Sequence, residues 1–121
     1  MKKYEKPAVL LNANVAEGIY MASGSGSRVI ASGLTVTQDW KSGGIATCNV
    51  DLSGVNPNKL TVTFTFNANV ADGWIDGGTQ TVNGSTVSIY FYSAPSSATL
   101  NVRTDGVDIN QLQIVDISSS N

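Results

Sequence analysis

The sequence predicts an all-β domain, an antiparallel β-sandwich. Three observations carry that reading. Apolar residues recur at every second position from Arg28 onward, the period of a strand with one buried face. Short Gly, Asn and Asp turn words punctuate the alternating runs at regular intervals. Charged residues make up only 13% of the chain, about half the usual share, and Thr, Ser and Asn occupy the alternate positions instead.

Residues 1–27 stand apart from this pattern. They hold both glutamates, Glu5 and Glu17, and three of the seven basic residues, Lys2, Lys3 and Lys6. They end in Ala22-Ser23-Gly24-Ser25-Gly26-Ser27, which has linker composition. The stretch reads as a leader-like or linker segment, or an edge strand, ahead of a sandwich domain over 28–121. Glu17 to Gly24 also resembles leader segments that are cut after a small-residue pair, which keeps a peptide precursor in view as a distant alternative.

The elements of the domain follow in order. Leu34 and Val36 alternate with Thr35 and Thr37, ahead of Gln38-Asp39-Trp40 and a turn at Ser42-Gly43-Gly44. Ala46, Cys48, Val50 and Leu52 alternate with Thr47, Asn49 and Asp51, and Val55-Asn56-Pro57-Asn58 closes that run. Leu60, Val62, Phe64 and Phe66 alternate with Lys59, Thr61, Thr63 and Thr65, the cleanest strand of the chain. Asp72 to Gly78 reads as a loop that contains Trp74 and turns at Asp76-Gly77-Gly78. Asn83-Gly84 predicts a hairpin joining Thr79–Val82 to Ser85–Tyr92. Leu100 and Val102 alternate with Asn101 and Arg103, Asp105-Gly106 turns, and a last strand is expected where Leu112 and Ile114 alternate with Gln111 and Gln113. Short strands with one apolar face each give a sandwich of immunoglobulin-like or jelly-roll-like kind, with an atypical N-terminal segment.

Composition then narrows function. From Arg28 onward there are four basic and seven acidic side chains, a net of −3. Neither nucleic-acid phosphates nor an anionic membrane finds the clustered Lys and Arg it needs. The chain has no His, hence neither the commonest general base nor the commonest metal ligand. Its single cysteine, Cys48, allows no intrachain disulfide and no thiolate zinc site, and reads as a small buried hydrophobe. Asp72 with Asp76, and Asp105 with Asp108, have spacings that could offer oxygen ligands to calcium, or the acid and base of a glycosidase. Asp-Gly pairs more often simply make turns, so no metal, no cofactor and no enzyme activity are expected.

The large aromatic residues carry the positive signal. Trp40 sits where a strand meets a turn, and Trp74 lies among Gly and Asp residues. Tyr90 and Tyr92 share a parity opposite to Val87, Ile89 and Phe91, so they point away from the core. Exposed flat rings suit sugars, whose C–H faces stack on aromatic rings while their hydroxyls hydrogen-bond to amides and carboxylates. Gln38, Asp39 and Asp72 are the hydrogen-bonding neighbours in sequence.

From Gly33 to about Val102 the chain resembles the family 2 carbohydrate-binding modules, the small β-sandwich domains that bind cellulose and xylan. The resemblance rests on Gln38-Asp39-Trp40-Lys41-Ser42-Gly43-Gly44, on Leu60-Thr61-Val62-Thr63-Phe64-Thr65-Phe66, on Asp72-Gly73-Trp74 and on Asn83-Gly84-Ser85-Thr86-Val87-Ser88-Ile89, in that order. It implies a planar strip of exposed tryptophans, with Trp40 and Trp74 at two of its positions. The third would follow the strand ending at Tyr92, where this chain has Tyr90, Tyr92 and Ser93. The Gly-Trp pair that opens the Thr-Phe strand in that family is Asn58-Lys59 here, and the terminal disulfide of many members has no counterpart.

The expectation is therefore a non-catalytic module that binds a neutral glycan through Trp40, Trp74, Tyr90 and Tyr92. An extracellular or cell-surface setting would suit it, although no standard secretory signal is present, since the apolar run Ala8–Leu11 is too short. The alternative is an exported or surface-associated structural sandwich that self-assembles through strand edges or binds a protein partner. Few Lys or Glu residues guard those edges.

Overall fold

A computed structural model describes Tyr20–Met21 and residues 29–121. The chain is a sandwich of two antiparallel sheets, as its periodicity predicts. Its strands are β1 (Tyr20–Met21), β2 (Ile30–Ala31), β3 (Thr35–Trp40), β4 (Gly43–Asp51), β5 (Asn58–Phe66), β6 (Asp72–Ile75), β7 (Thr79–Asn83), β8 (Thr86–Ser93), β9 (Ser97–Asp105) and β10 (Ile114–Ser120). A short 3-10 turn at Ile109–Gln111 precedes the last strand. Sheet 1 runs β1-β2-β4-β9-β6, and β3 also pairs with β4. Sheet 2 runs β10-β5-β8-β7.

Alternation decides which side chains meet between the sheets. Ala46, Cys48 and Val50 of β4, Leu100 and Val102 of β9, and Ile75 of β6 are buried from sheet 1. Leu60, Val62, Phe64 and Phe66 of β5, Val87, Ile89 and Phe91 of β8, and Ile117 of β10 face them from sheet 2. The residues between them point outward, since the side-chain period of a strand is two. The hairpin at Asn83-Gly84 forms with Gly84 at φ 62, a backbone conformation that favours glycine.

Three local expectations are corrected. The Trp74 segment is not a loop but the edge strand β6, with Asp72 to Ile75 in register with Arg103 to Leu100 of β9. Gly43 and Gly44 do not form the turn; Lys41 and Ser42 do, and the two glycines begin β4. The last strand lies over Ile114–Ser120 and not around Gln111–Gln113. Ile109 and Leu112 are both buried and three residues apart, which matches a 3-10 turn better than a strand. The Asp108 carboxylate caps that turn by accepting from the Asn110 amide at 3.0 Å.

Of the segment read as a leader or edge strand, the pair Tyr20–Met21 is described, as β1 at the margin of sheet 1 beside β2. The rest of that segment, including the leader-like words near Gly24, lies outside the described residues.

Candidate functional site

The outer face of sheet 1 brings the two tryptophans together, and a β-bulge is what makes this happen. Val36 is opposite Ala46, on the core side of β4. If β3 continued regularly, Gln38 and Trp40 would share that inward side. The register instead steps between Val36 and Gln38, so that Thr37 is an extra residue and Gln38 faces Ile45. One inserted residue reverses the parity of everything after it. Gln38 and Trp40 therefore emerge on the outer face, and the Thr37 hydroxyl, which donates to the Ile45 carbonyl at 3.2 Å, anchors the bulge.

Trp40 pairs with Gly43. Its indole covers that glycine: a β-carbon placed at Gly43 would lie 2.8 Å from the indole nitrogen and would also collide with the Thr104 carbonyl. Trp40 keeps 38% of its surface exposed, so the ring is seated on the sheet and still presents a face to solvent.

The register carries the face across four strands. One row reads Gln38, Ile45, Arg103, Asp72, and the next reads Thr35, Thr47, Asn101, Trp74. Trp74 is half-buried on this outer side, while its neighbours Gly73 and Ile75 are buried beneath it. Three inter-strand steps and four residues along the strands separate Trp40 from Trp74, roughly 20 Å between α-carbons. The two rings thus flank a floor of amides, hydroxyls, one guanidinium and carboxylates. A ligand touching both must be an extended chain, not a single sugar.

Arg103 lies at the centre of that floor. Its Nη2 pairs with the Asp105 carboxylate at 3.3 Å, an exposed contact of small energetic weight. Its Nε is buried and makes no hydrogen bond among the described residues. Asp72, in register with Arg103, accepts from the Gly73 amide at 2.9 Å. Sequence periodicity does not mark Arg103, Ile45 and Asn101 as site residues, although the alternation around Leu100 and Val102 places Asn101 and Arg103 outward. Only the strand order reveals what they stand beside.

The remaining candidates lie elsewhere. Asp39 pairs with Gly44 on the opposite side of β3 from Trp40, and its carboxylate accepts from the Asn110 side-chain amide at 2.8 Å. Tyr90 and Tyr92 do point away from the core and are 42% and 75% exposed. They belong to β8, however, so they occupy the outer face of sheet 2, across the thickness of the sandwich from both tryptophans. Tyr90 sits between Thr61 and Thr79 there.

Cys48 is buried, and desolvation pushes its thiol up to about 12, so it is no nucleophile at neutral pH. Among the described residues no group of three or more carboxylates or thiols is placed to hold a metal ion, and Asp72/Asp76 and Asp105/Asp108 form none.

No protein-family model matches the chain, and no curated protein matches it. Among solved structures it is similar to the solution structure of the chitin-binding domain of a hyperthermophilic chitinase from Pyrococcus furiosus, at 20% identity and a TM-score of 0.42, over 74% of this chain and 85% of that one.

Proposed function

We propose that the chain is a non-catalytic carbohydrate-binding module, which lays a neutral polysaccharide of the cellulose or xylan kind across the outer face of sheet 1. The observation that carries the reading is the presence of Trp40 and Trp74 on one sheet face, on either side of a polar floor. Each indole stacks on the C–H face of a sugar ring. Gln38, Asp72, Asn101 and Arg103 lie between them and exchange hydrogen bonds with the hydroxyls. Asp39 borders the site but is engaged with Asn110. Tyr90 and Tyr92 take no part in this strip, because they belong to the other sheet.

The same face favours binding over hydrolysis. It is the open surface of a sheet, which gives a scissile bond no enclosing walls. An extracellular or cell-surface setting would suit a partner of this class and is part of the proposal.

The test is a pull-down on insoluble cellulose, xylan, starch and chitin, comparing the native chain with Trp40→Ala, Trp74→Ala and the double variant. Retention on at least one polymer, weakened about 30-fold or more by either substitution, is the expected result, the size of a buried aromatic anchor. No retention on any polymer, or retention indifferent to both tryptophans, refutes the proposal.

A further inference from the structure

We propose that β7 is a docking edge for a second copy of this chain, which pairs with it antiparallel across a two-fold axis at Thr81. The inference does not depend on the glycan reading and concerns the opposite sheet.

It rests on a comparison of the sheet edges. An edge strand offers unpaired amides and carbonyls to any extended chain, and proteins blunt such edges by shortness, bulges or charge. Each other described edge carries one of these devices. β6 has four residues, begins with Asp72 and is followed by Asp76. β3 has the bulge between Val36 and Gln38, and Asp39 beyond it. β10 shifts register between Ile114 and Asp116 and carries that aspartate. β2 has two residues, and β1 has two among the described residues.

β7 has none of them. Its five residues, Thr79-Gln80-Thr81-Val82-Asn83, pair with β8 in unbroken register from Thr79↔Tyr90 to Asn83↔Thr86. The strand holds no charge, no proline and no bulge. Among the described residues nothing pairs with its outer edge.

The strand's own sequence selects the occupant. With no charge, β7 has nothing with which to choose an acidic or basic peptide, whereas it complements itself. Antiparallel pairing about the axis sets Thr81 against the partner subunit's Thr81, Thr79 against the partner subunit's Asn83, and Gln80 against the partner subunit's Val82. β-Branched and hydroxyl pairs of this kind stabilise antiparallel ladders, and no like charges meet. Sheet 2 then runs unbroken through eight strands. Because the axis stands normal to that sheet, the Trp40 and Trp74 faces of both subunits look the same way. The contact is isologous and closes at two copies. A five-residue edge buries less than a standard interface, so the dimer is a weak one, with a dissociation constant on the order of 0.1 mM.

Analytical ultracentrifugation of the full chain from roughly 10 μM to 1 mM is the test, a range chosen to bracket that affinity. The mass is expected to climb from monomer to dimer and stop there. Thr81→Lys alone and Thr81→Glu alone, each with native circular dichroism, stay monomeric because like charges meet at the axis. An equimolar mixture of the two dimerises. A monomer at every concentration, growth past the dimer, a dimer that both variants retain, or a mixture that stays monomeric overturns the proposal.

Discussion

The Trp40 indole lies on Gly43 of the neighbouring strand, and neither residue would serve in the other's absence. The glycine has no side chain to hold the ring off the sheet, and the ring shields a stretch of backbone that would otherwise be bare. Gly43 is also pressed against the Thr104 carbonyl of β9, so the position has no space for a methyl group. Gly43→Ala must therefore displace both the indole and the β4–β9 ladder. A loss of about 1–3 kcal/mol is expected, the usual cost of forcing atoms into a filled site. Urea denaturation should show a lower midpoint at an unchanged slope. Weakened polysaccharide retention should accompany it, because the ring that it tilts is one of the two that stack.

Deleting Thr37 tests the bulge directly. Without the extra residue, β3 alternates regularly from Val36, with Gln38 still opposite Ile45 and Trp40 still opposite Gly43 on the outer face. In a Trp74→Phe background the fluorescence reports Trp40 alone. Its emission should match that of the Trp74→Phe parent, and so should polysaccharide retention, because the deletion removes the unpaired residue and leaves every pair beyond it in place. Emission shifted to the blue would mean that Trp40 has turned toward the side of Gly44 and Ile109, and that Thr37 is not the residue the ladder leaves out.

How much of this was legible in the sequence depends on the range of the interactions involved. β5 and β8 were readable because Leu60 to Phe66 and Val87 to Phe91 alternate without a break, and each strand's face is set by its own residues. β6 was not, because the inward position Gly73 offers no apolar side chain and the strand ends after four residues. β10 hid behind its bulge and its run of Ser118, Ser119 and Ser120, where only Ile117 marks the core. Tyr90 and Tyr92 could be turned outward by parity, but parity does not say which sheet a strand joins. That depends on pairings such as Asp72↔Arg103, 31 residues apart, and on a one-residue slip at Thr37 that no local pattern announces.

Separation of the aromatics onto two faces makes a distinct prediction. Tyr90→Ala and Tyr92→Ala, singly or together, should leave polysaccharide retention within about twofold of the parent, as expected for residues outside the contact. Trp40→Ala and Trp74→Ala should each cost far more. Depletion assays on the polymer that binds best, run on all four variants, give the comparison. Losses of equal size in the tyrosine and tryptophan variants would mean that the ligand wraps both sheets, or that binding is nonspecific adhesion of exposed rings.

Cys48 gives the fold a pH dependence whose sign can be worked out. Burial between Ala46 and Val50 holds the thiol protonated up to about 12, against about 9 when it is exposed. Between these values the folded chain binds more protons than the unfolded one, so stability falls as pH rises. The stability is fully present below pH 9 and declines from there toward pH 12, by at most a few kcal/mol. Cys48→Ala should remove the thiol's share of that decline. The same burial predicts that a thiol reagent at pH 8 labels the folded chain far more slowly than the chain in urea. Rapid labelling of the native protein would show that the strand pair β4–β9 opens readily. In that case the platform under Trp40 and Arg103 would be a mobile one, and the fixed spacing of the two tryptophans could not be what selects the ligand.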